Sequence, residues 1–268
     1  MKITFIGAGN MAEAIVAGII KKSVVDAADV CVTDISEDRL SYFKNQYGTA
    51  TSSNNATAVA QADVVMLCVK PQVFPAVWPE ISDALKPDAL VISIMAGVPS
   101  AKIAGGKPIR VVRIMPNTPA LIGECAAGIA AGKWATETDL AVAKQLMQAV
   151  GTAVVVKEEE IDAVTALSGS GPAYVFYLLE AMLAAAEKMG LEAGISRELA
   201  LSTVIGAAKL MQATGENADE LRRKVTSKGG TTHAAITTME EHSVKEAIIS
   251  ALLAAQARSK ELAQGSPM

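Results

Sequence analysis

Aromatic residues are scarce in this chain of 268 residues: two Trp, four Tyr and four Phe make up 4% of it. Hydrophobic residues nevertheless account for 51% and charged residues for only 19%, which excludes an intrinsically disordered chain. The core must therefore be built from aliphatic side chains and close approach of helices. At roughly 100–200 residues per domain, the length allows one large domain or two modest ones.

The chain also lacks an excess of positive charge, because 24 Lys and Arg stand against 28 Asp and Glu, for a formal net charge of −4. Nucleic acids and anionic membrane surfaces are bound by basic faces, so we expect neither as a partner. The most apolar stretch, residues 173–186, contains Glu180 and is shorter than the ~20 residues of a membrane span. We therefore predict a buried helix there.

Cysteine is rare, and its spacing carries no motif. Cys31, Cys68 and Cys125 are odd in number and far apart, which argues against a disulfide framework or a zinc site and favours a reducing cytoplasm. The two histidines, His233 and His242, do not have metal-ligand spacing. Since HExxH, GxSxG and Walker A patterns are absent from the sequence as well, we expect no metal cofactor.

Short apolar runs alternate with helical patterns in the first half of the chain. The runs show little polar–apolar alternation, which is typical of strands covered on both faces in a parallel sheet. The predicted strands are 2–7, 30–34, 64–69, 90–95, 110–115, 125–131 and 152–156, and the predicted helices between them are 11–22, 36–46, 72–85 and 136–150. This order predicts an α/β fold, with a doubly wound Rossmann-type sheet over residues 1–156.

The strand signal ends after Val156, and only helical patterns follow. They cover 159–167, 172–189, 196–214, 217–225, 232–242 and 244–263. We therefore predict a second, all-helical domain over residues 157–268. Two of its helices, 173–189 and 244–263, carry apolar or small side chains on most faces. A helical domain as small as this one buries such helices poorly on its own. We therefore expect an obligate dimer, in which a second chain covers these helices.

A glycine-rich turn joins the first predicted strand to the first predicted helix. The segment fits GxGxxA, in which Gly7 permits the turn, Gly9 lets a pyrophosphate approach the backbone and Ala12 allows the helix to pack on the strand. Asp34 ends the second predicted strand, where a carboxylate normally binds a ribose 2′-hydroxyl and favours NAD. Ser36 and Arg39 are able to accommodate a 2′-phosphate, although we favour the interpretation of Arg39 as a solvated helix residue.

Three more loops follow predicted strands, at residues 69–72, 93–98 and 113–120. In doubly wound sheets, ligands lie outside the carboxyl ends of the strands, so these loops together predict one shared site. Two glycine-rich turns, residues 167–174 and 226–233, begin helices in the second half. A Ser/Gly/Gly/Thr turn at a helix N-terminus is able to hold a carboxylate, whereas ordinary helix capping is the plainer interpretation of either turn alone.

Taken together, these turns resemble those of pyrroline-5-carboxylate reductases. The resemblance runs in order along nearly the whole chain: IGAGNMAEAI at 6–15, DVVMLCVKPQ at 63–72, IMAGV at 94–98, RIMPNTPA at 113–120, IDAVTALSGSGPAYVF at 161–176 and VTSKGGTTHAAI at 225–236. The pair SGSGPAY and TSKGGTT is highly specific, whereas the N-terminal turn is shared by many dehydrogenases.

The resemblance implies an enzyme that reduces 1-pyrroline-5-carboxylate, a cyclic imine, to L-proline with NADPH or NADH in the last step of proline biosynthesis. It implies a cytoplasmic, intertwined homodimer that is able to assemble further into a ring, with a substrate pocket formed by both subunits. The acidic Asp34 departs from the family's frequent NADPH preference, so both nucleotides stay open.

Site residues are carried over by motif match, and the resemblance assigns them in three groups. The cofactor residues are Gly7, Gly9, Asn10 and Met11 at the pyrophosphate, Asn55 towards the ribose, and Val69, Lys70, Pro71, Ala96, Gly97, Asn117 and Thr118 towards the nicotinamide; Asp34, placed at the ribose by its position after the second strand, completes the set. The residues that hold the substrate carboxylate are Ser227, Gly229, Gly230 and Thr231. Thr232 matches the threonine that faces the ring nitrogen and is the predicted catalytic residue.

Two other functions are compatible with parts of the sequence. A hydroxyacid dehydrogenase of similar two-domain type would carry a lysine base early in the helix after the SGSG turn, where residues 172–178 contain none. A nucleotide-binding regulatory protein without turnover would use the N-terminal turn but would leave the turns of the helical half without a ligand. Oxidation of NADPH in the presence of pyrroline-5-carboxylate separates the three functions.

Overall fold

The computed structural model describes residues 1–264, and a mixed sheet forms the centre of its first half. Within these residues the sheet has eight strands in the order β3-β2-β1-β4-β5-β6-β7-β8. The strands are β1 (Ile3–Ile6), β2 (Val30–Thr33), β3 (Ala50–Ser52), β4 (Val64–Leu67), β5 (Leu90–Ser93), β6 (Arg110–Met115), β7 (Cys125–Ala131) and β8 (Gly151–Val155).

Strand direction reverses once in this sheet. All neighbours pair in parallel except β6 and β7, which are antiparallel with Ile114 opposite Ile129. The sheet is thus parallel except at this pair, because only the 3₁₀ turn Thr118–Ile122 separates the two strands and no crossover helix intervenes. Strand β3 was not predicted, since Ala50-Thr51-Ser52 is polar and only three residues long.

Both faces of the sheet are covered, as the unbroken apolar runs predict. Within the first half the helices are α1 (Asn10–Lys21), α2 (Glu37–Tyr47), α3 (Asn55–Val59), α4 (Phe74–Ser82), α5 (Ser100–Ala104) and α6 (Glu137–Gln148). Successive residues of β1 belong to opposite cores: Phe5 is part of the cluster that contains Ile15 and Leu146, whereas Ile6 is part of the cluster that contains Ile81 and Ile103. Helix α6 begins with a capping box, in which Thr136 and Asp139 bond reciprocally.

The second half is helical, as predicted. It contains α7 (Ile161–Val164), a π-helical turn (Thr165–Gly169), α8 (Gly171–Lys188), α9 (Ala193–Thr214), α10 (Ala218–Lys224), α11 (Thr231–Glu241) and α12 (Val244–Ala263). No helix within residues 1–264 is long and apolar enough to cross a membrane.

The chain divides into two compact units. Within the described residues, one comprises Met1–Pro172 together with 254–264, and the other is Ala173–Leu253. The predicted domain limit at residue 156 marks the change from strands to helices, and it stays a prediction beside this division by compactness.

Candidate functional site

The glycine-rich turn lies between β1 and α1, at the point where the strand order reverses. Gly7 has φ +102°, and a Cβ on it would lie 3.1 Å from the backbone carbon and oxygen of Cys68. Its N–H donates to the Thr33 carbonyl at 2.8 Å. Only glycine fits here, because both the positive φ and the close backbone exclude a side chain. Asn10 and Met11, the other predicted pyrophosphate residues, begin α1.

Side chains from the segment after β2 form hydrogen bonds to the backbone of this turn. The Asp34 carboxylate accepts the Ala8 N–H at 2.8 Å and the Ser36 N–H at 2.9 Å. The Arg39 Nε donates to the Ala8 carbonyl at 2.8 Å, and its Nη2 donates to Glu13 at 2.7 Å. Arg39 thus supports the turn through hydrogen bonds. The interpretation of Arg39 as a solvated helix residue is wrong. The partner Glu13 lies 26 positions away, so no local pattern indicates it.

A cleft of about 280 Å³ opens beside the turn at the carboxyl ends of β1, β2 and β4. It brings together six predicted cofactor residues from separate parts of the sequence. They are Gly7, Gly9, Asp34, Asn55, Val69 and Lys70. Its remaining lining comes from Ile6, Thr33, Ile35, Ser53, Cys68, Val73 and Val77. Nothing lies within 4 Å of the position that a Cβ on Gly9 would take, so the space beside the turn is open to a ligand's phosphates.

Asn55 is fixed at the rim of this cleft by two side chains. Its Oδ1 accepts from the Thr33 hydroxyl at 2.6 Å, and its Nδ2 donates to Glu80 at 3.2 Å. Sequence reasoning missed Thr33 and Glu80, because neither belongs to a recognised motif. Lys70 at the other end of the cleft is exposed.

The remaining predicted cofactor residues do not line this cleft. Pro71 follows Lys70 directly, while Ala96 and Gly97 follow β5, where Gly97 has φ +68° and a Cβ on it would lie 3.2 Å from the Leu262 Cβ. Thr118 begins the 3₁₀ turn after β6. Their contact with a cofactor stays a prediction.

Asn117 is buried, and its side chain is committed to the protein itself. Its Nδ2 donates to the Ser168 carbonyl at 3.0 Å, while its Oδ1 accepts the Ala126 N–H at 2.9 Å. The carboxamide therefore joins the loop after β6 to β7 and to the π-helical turn. π turns inside helices often occur at functional sites.

The predicted substrate loop lies in the second unit, between α10 and α11. Gly229 has φ +75°, the Gly230 N–H donates to the Ser227 carbonyl at 3.0 Å, and a Cβ on Gly230 would lie 2.7 Å from the Ser227 Oγ. Helix α11 begins at Thr231, and within the described residues no side chain caps it at Gly230. The first N–H groups of α11 therefore face the loop, which suits a carboxylate. Thr232 is half-buried at this helix start.

The described residues offer no metal cluster and no activated thiol. No group of three or more His, Cys, Asp or Glu within residues 1–264 is arranged to hold a metal ion. Burial raises the pKa of the Cys31, Cys68 and Cys125 thiols, which disfavours the thiolate that nucleophilic catalysis needs.

The chain is similar to known proteins along its whole length. A family model described as pyrroline-5-carboxylate reductase dimerisation matches residues 158–262, and one described as NADP oxidoreductase, coenzyme F420-dependent, matches residues 2–97. A pyrroline-5-carboxylate reductase of Pseudomonas aeruginosa is 43% identical over 98% of this chain and 97% of the relative. One of Methanosarcina acetivorans is 42% identical over 97% of each.

The chain belongs to the pyrroline-5-carboxylate reductase family. Solved structures agree: a member from Coxiella burnetii superimposes with TM-score 0.92 at 42% identity, covering 97% of this chain and 98% of the other. A Plasmodium falciparum member with NADP bound has TM-score 0.88 at 28% identity and covers 98% of each chain. A 3-hydroxyisobutyrate dehydrogenase of Mycobacterium tuberculosis, at 20% identity and TM-score 0.52, shares the fold alone.

Proposed function

We propose that this chain reduces 1-pyrroline-5-carboxylate to L-proline with a reduced nicotinamide nucleotide, in the last step of proline biosynthesis. The observation that carries the proposal is the 43% identity over 98% of the chain to a relative named for this reaction. A hydroxyacid dehydrogenase would need a lysine base early in the helix after the SGSG turn, and residues 172–178 contain no lysine. The regulatory alternative gives the Ser227–Thr232 loop no ligand.

The nucleotide, as NADH or NADPH, supplies the hydride. Gly7, Gly9 and the start of α1 at Asn10 and Met11 are proposed to hold its pyrophosphate, since N–H groups at a helix N-terminus suit phosphate. Asp34 and Asn55 are proposed to bind the adenosine ribose, because both line the cleft beside the turn. Val69, Lys70, Pro71, Ala96, Gly97, Asn117 and Thr118 are proposed to surround the nicotinamide end.

The substrate carboxylate is proposed to bind at the start of α11. Ser227, Gly229, Gly230 and Thr231 form a tight turn there, which is closed by the Gly230-to-Ser227 hydrogen bond, and no described side chain caps the helix at Gly230. An anion is favoured at such a helix start. Binding the carboxylate also selects which face of the ring is presented.

Thr232 is proposed to act at the ring nitrogen. The carbon of the protonated C=N group is already electrophilic, so hydride addition to it needs no strong base. The C=N electron pair moves to the nitrogen, which keeps its proton and becomes the neutral amine. The Thr232 hydroxyl, directly or through water, hydrogen-bonds that nitrogen as its charge changes. Orientation of the two reactants supplies most of the remaining effect, worth ~7–11 kcal/mol in favourable cases.

The helical unit is proposed to form an intertwined homodimer, and a ring of dimers as its higher assembly. Apolar side chains of α8 are open to solvent in the single chain: Phe176 is 59% and Tyr177 75% exposed. Exposed apolar patches of this kind mark protein interfaces. The match of residues 158–262 to a dimerisation family supports the same surface. We also propose a cytoplasmic location, which the three free thiols support.

A direct assay tests the proposed reaction. Purified protein is mixed with racemic 1-pyrroline-5-carboxylate and NADH or NADPH, and both the loss of nicotinamide absorbance and the proline formed are measured. We expect equimolar oxidation and proline formation, consuming at most half of the racemate. Nucleotide binding without turnover would favour the regulatory function. Turnover of a hydroxyacid with NAD or NADP, but not of the imine, would favour the dehydrogenase.

A further inference from the structure

Both backbone groups of Ala8, the residue between the two glycines of the turn, are held by side chains. Its N–H donates to Asp34 at 2.8 Å, and its carbonyl accepts from the Arg39 Nε at 2.8 Å. Ala8 is itself only 1% exposed. The peptides on either side of Ala8 are thus fixed by side chains, while the space beside the next residue, Gly9, stays open.

Arg39 is in turn held by a network on α1 and α2, which we call the Arg39 network and define as Glu13, Arg39, Tyr42 and Tyr47. Glu13 accepts from the Arg39 Nη2 at 2.7 Å, from the Tyr42 hydroxyl at 2.9 Å and from the Tyr47 hydroxyl at 3.2 Å. The guanidinium also lies 5.0 Å from the centre of the Tyr42 ring. A guanidinium with a paired carboxylate and a stacked ring has one preferred orientation.

The charges in this network are stable at neutral pH. Burial would raise the pKa of the Glu13 carboxyl, but the hydrogen bonds from Arg39 and the two tyrosines outweigh it and lower that pKa. Glu13 is therefore ionised and neutralises Arg39. A 2′-phosphate bound to Arg39 would have to compete with the Glu13 carboxylate. It would also lie near Asp34, whose negative charge repels it.

We propose that Arg39 is a positioning residue of the cofactor site: with Asp34 it fixes the Ala8 peptides, and so the shape of the pyrophosphate-binding turn, and it is not a ligand of a 2′-phosphate. This inference rests on the proposed function, because it assumes that a nicotinamide nucleotide binds at the turn. A turn held in its binding shape before the ligand arrives avoids the entropy of ordering it on binding.

NADH and NADPH separate the two possible roles of Arg39, since they differ only in the 2′-phosphate. If Arg39 shapes the turn, Arg39→Met weakens both nucleotides by the same factor, about tenfold for the loss of a hydrogen bond from a charged group. KM for the nucleotide then rises more than kcat falls. If Arg39 bound the phosphate, NADPH alone would weaken.

Two further variants sharpen the distinction. Arg39→Lys keeps the charge but lacks the planar fork that reaches both Ala8 and Glu13, so a positioning role predicts no rescue of either nucleotide. Glu13→Gln keeps the shape of the side chain and removes the charge that holds Arg39. It should weaken both nucleotides equally, whereas a phosphate-binding Arg39, once released, would bind NADPH more tightly.

The experiment is a fluorescence titration of NADH and of NADPH into the full-length wild type and the variants, with circular dichroism to confirm folding. Lys44→Met is the matched control, because it removes an exposed cation from the same helix and should leave both dissociation constants unchanged. Parallel weakening of both nucleotides in Arg39→Met and Glu13→Gln supports the inference. Loss confined to NADPH, or unchanged binding of both, overturns it. Should the wild type bind neither nucleotide, the proposed function fails, and the inference falls with it.

Discussion

At the scale of single residues, the turn glycines and the segment around them could be predicted from sequence, because the GxGxxA spacing reflects a steric need at Gly7. The supports of the turn could not. Arg39 and Glu13 are 26 positions apart, and Asn55 meets Glu80 across 25 positions. Such pairs exist only once the fold has brought α1 to α2 and α3 to α4, so no local pattern indicates them.

The catalytic role proposed for Thr232 leads to a prediction about a single substitution. Thr232→Ala should lower kcat by roughly 10- to 100-fold, because the imine nitrogen loses its hydrogen-bonding partner as its charge changes. The melting temperature should change little, since the side chain is only half-buried. Steady-state kinetics and thermal denaturation measure both.

Thr232→Ser is the matched variant for this prediction, because it keeps the hydroxyl and removes only a methyl group. It should retain most of the wild-type kcat. Unchanged turnover in the alanine variant would remove Thr232 from the mechanism.

Asn117 carries a residue-scale prediction for stability. Asn117→Ala removes the partner of two groups, the Ala126 N–H and the Ser168 carbonyl. We expect the free energy of unfolding to fall by about 2–4 kcal/mol, since an unpaired buried group costs about 1–3 kcal/mol and these two groups are only partly buried. Urea denaturation measures the change, with exposed Asn45→Ala as the control. A loss no greater than that of the control would show that water replaces the carboxamide.

At the scale of elements, the apolar runs predicted seven of the strands, because strands covered on both faces have little polar interruption. The exceptions have physical causes. Ala50–Ser52 forms β3 although it is short and polar, since β2 offers it a free edge. The pairing of β7 with β6 is antiparallel because the connection is too short for a crossover. Helices α3 and α5 have five residues each, which is too few to show a helical periodicity of apolar residues.

The link between α1 and α2 through Glu13 predicts a pH dependence. The folded-state pKa of Glu13 lies below its ordinary value of 4.5, so its contribution to stability is fully present above pH 4.5 and is lost as the pH falls through the folded-state pKa. The wild type should therefore lose stability between pH 5 and 3 more steeply than Glu13→Gln. Urea denaturation across this range measures the two slopes, and equal slopes would contradict the ion pair's role.

At the scale of the whole molecule, the division into a Rossmann-type half and a helical half was predictable from the change of pattern after Val156. The need for a partner chain followed from apolar helices in a small helical half. In the structure, Phe176, Tyr177 and Leu178 of α8 are 59%, 75% and 49% exposed. A monomer would leave this surface in water, at a cost of about 25 cal/mol per Å².

Size-exclusion chromatography with light scattering tests the assembly. The wild type should elute as a dimer or a multiple of dimers at micromolar concentration, and no monomer peak should appear. Phe176→Glu should shift the distribution towards the monomer, because it places a charge on the apolar face of α8. Lys44→Glu, on the exposed side of the other unit, is the control. A monomeric wild type would contradict the proposed dimer.

The central claim is that this chain brings the hydride of a nicotinamide nucleotide directly to the imine carbon of 1-pyrroline-5-carboxylate, and isotope transfer tests it most directly. NADH or NADPH carrying deuterium at both C4 positions is supplied to the enzyme with unlabelled imine in ordinary water, and the proline formed is analysed by mass spectrometry and NMR. We predict one deuterium per proline, on the δ carbon that was the imine carbon. Proline without deuterium, or with deuterium at another carbon, would contradict direct hydride transfer.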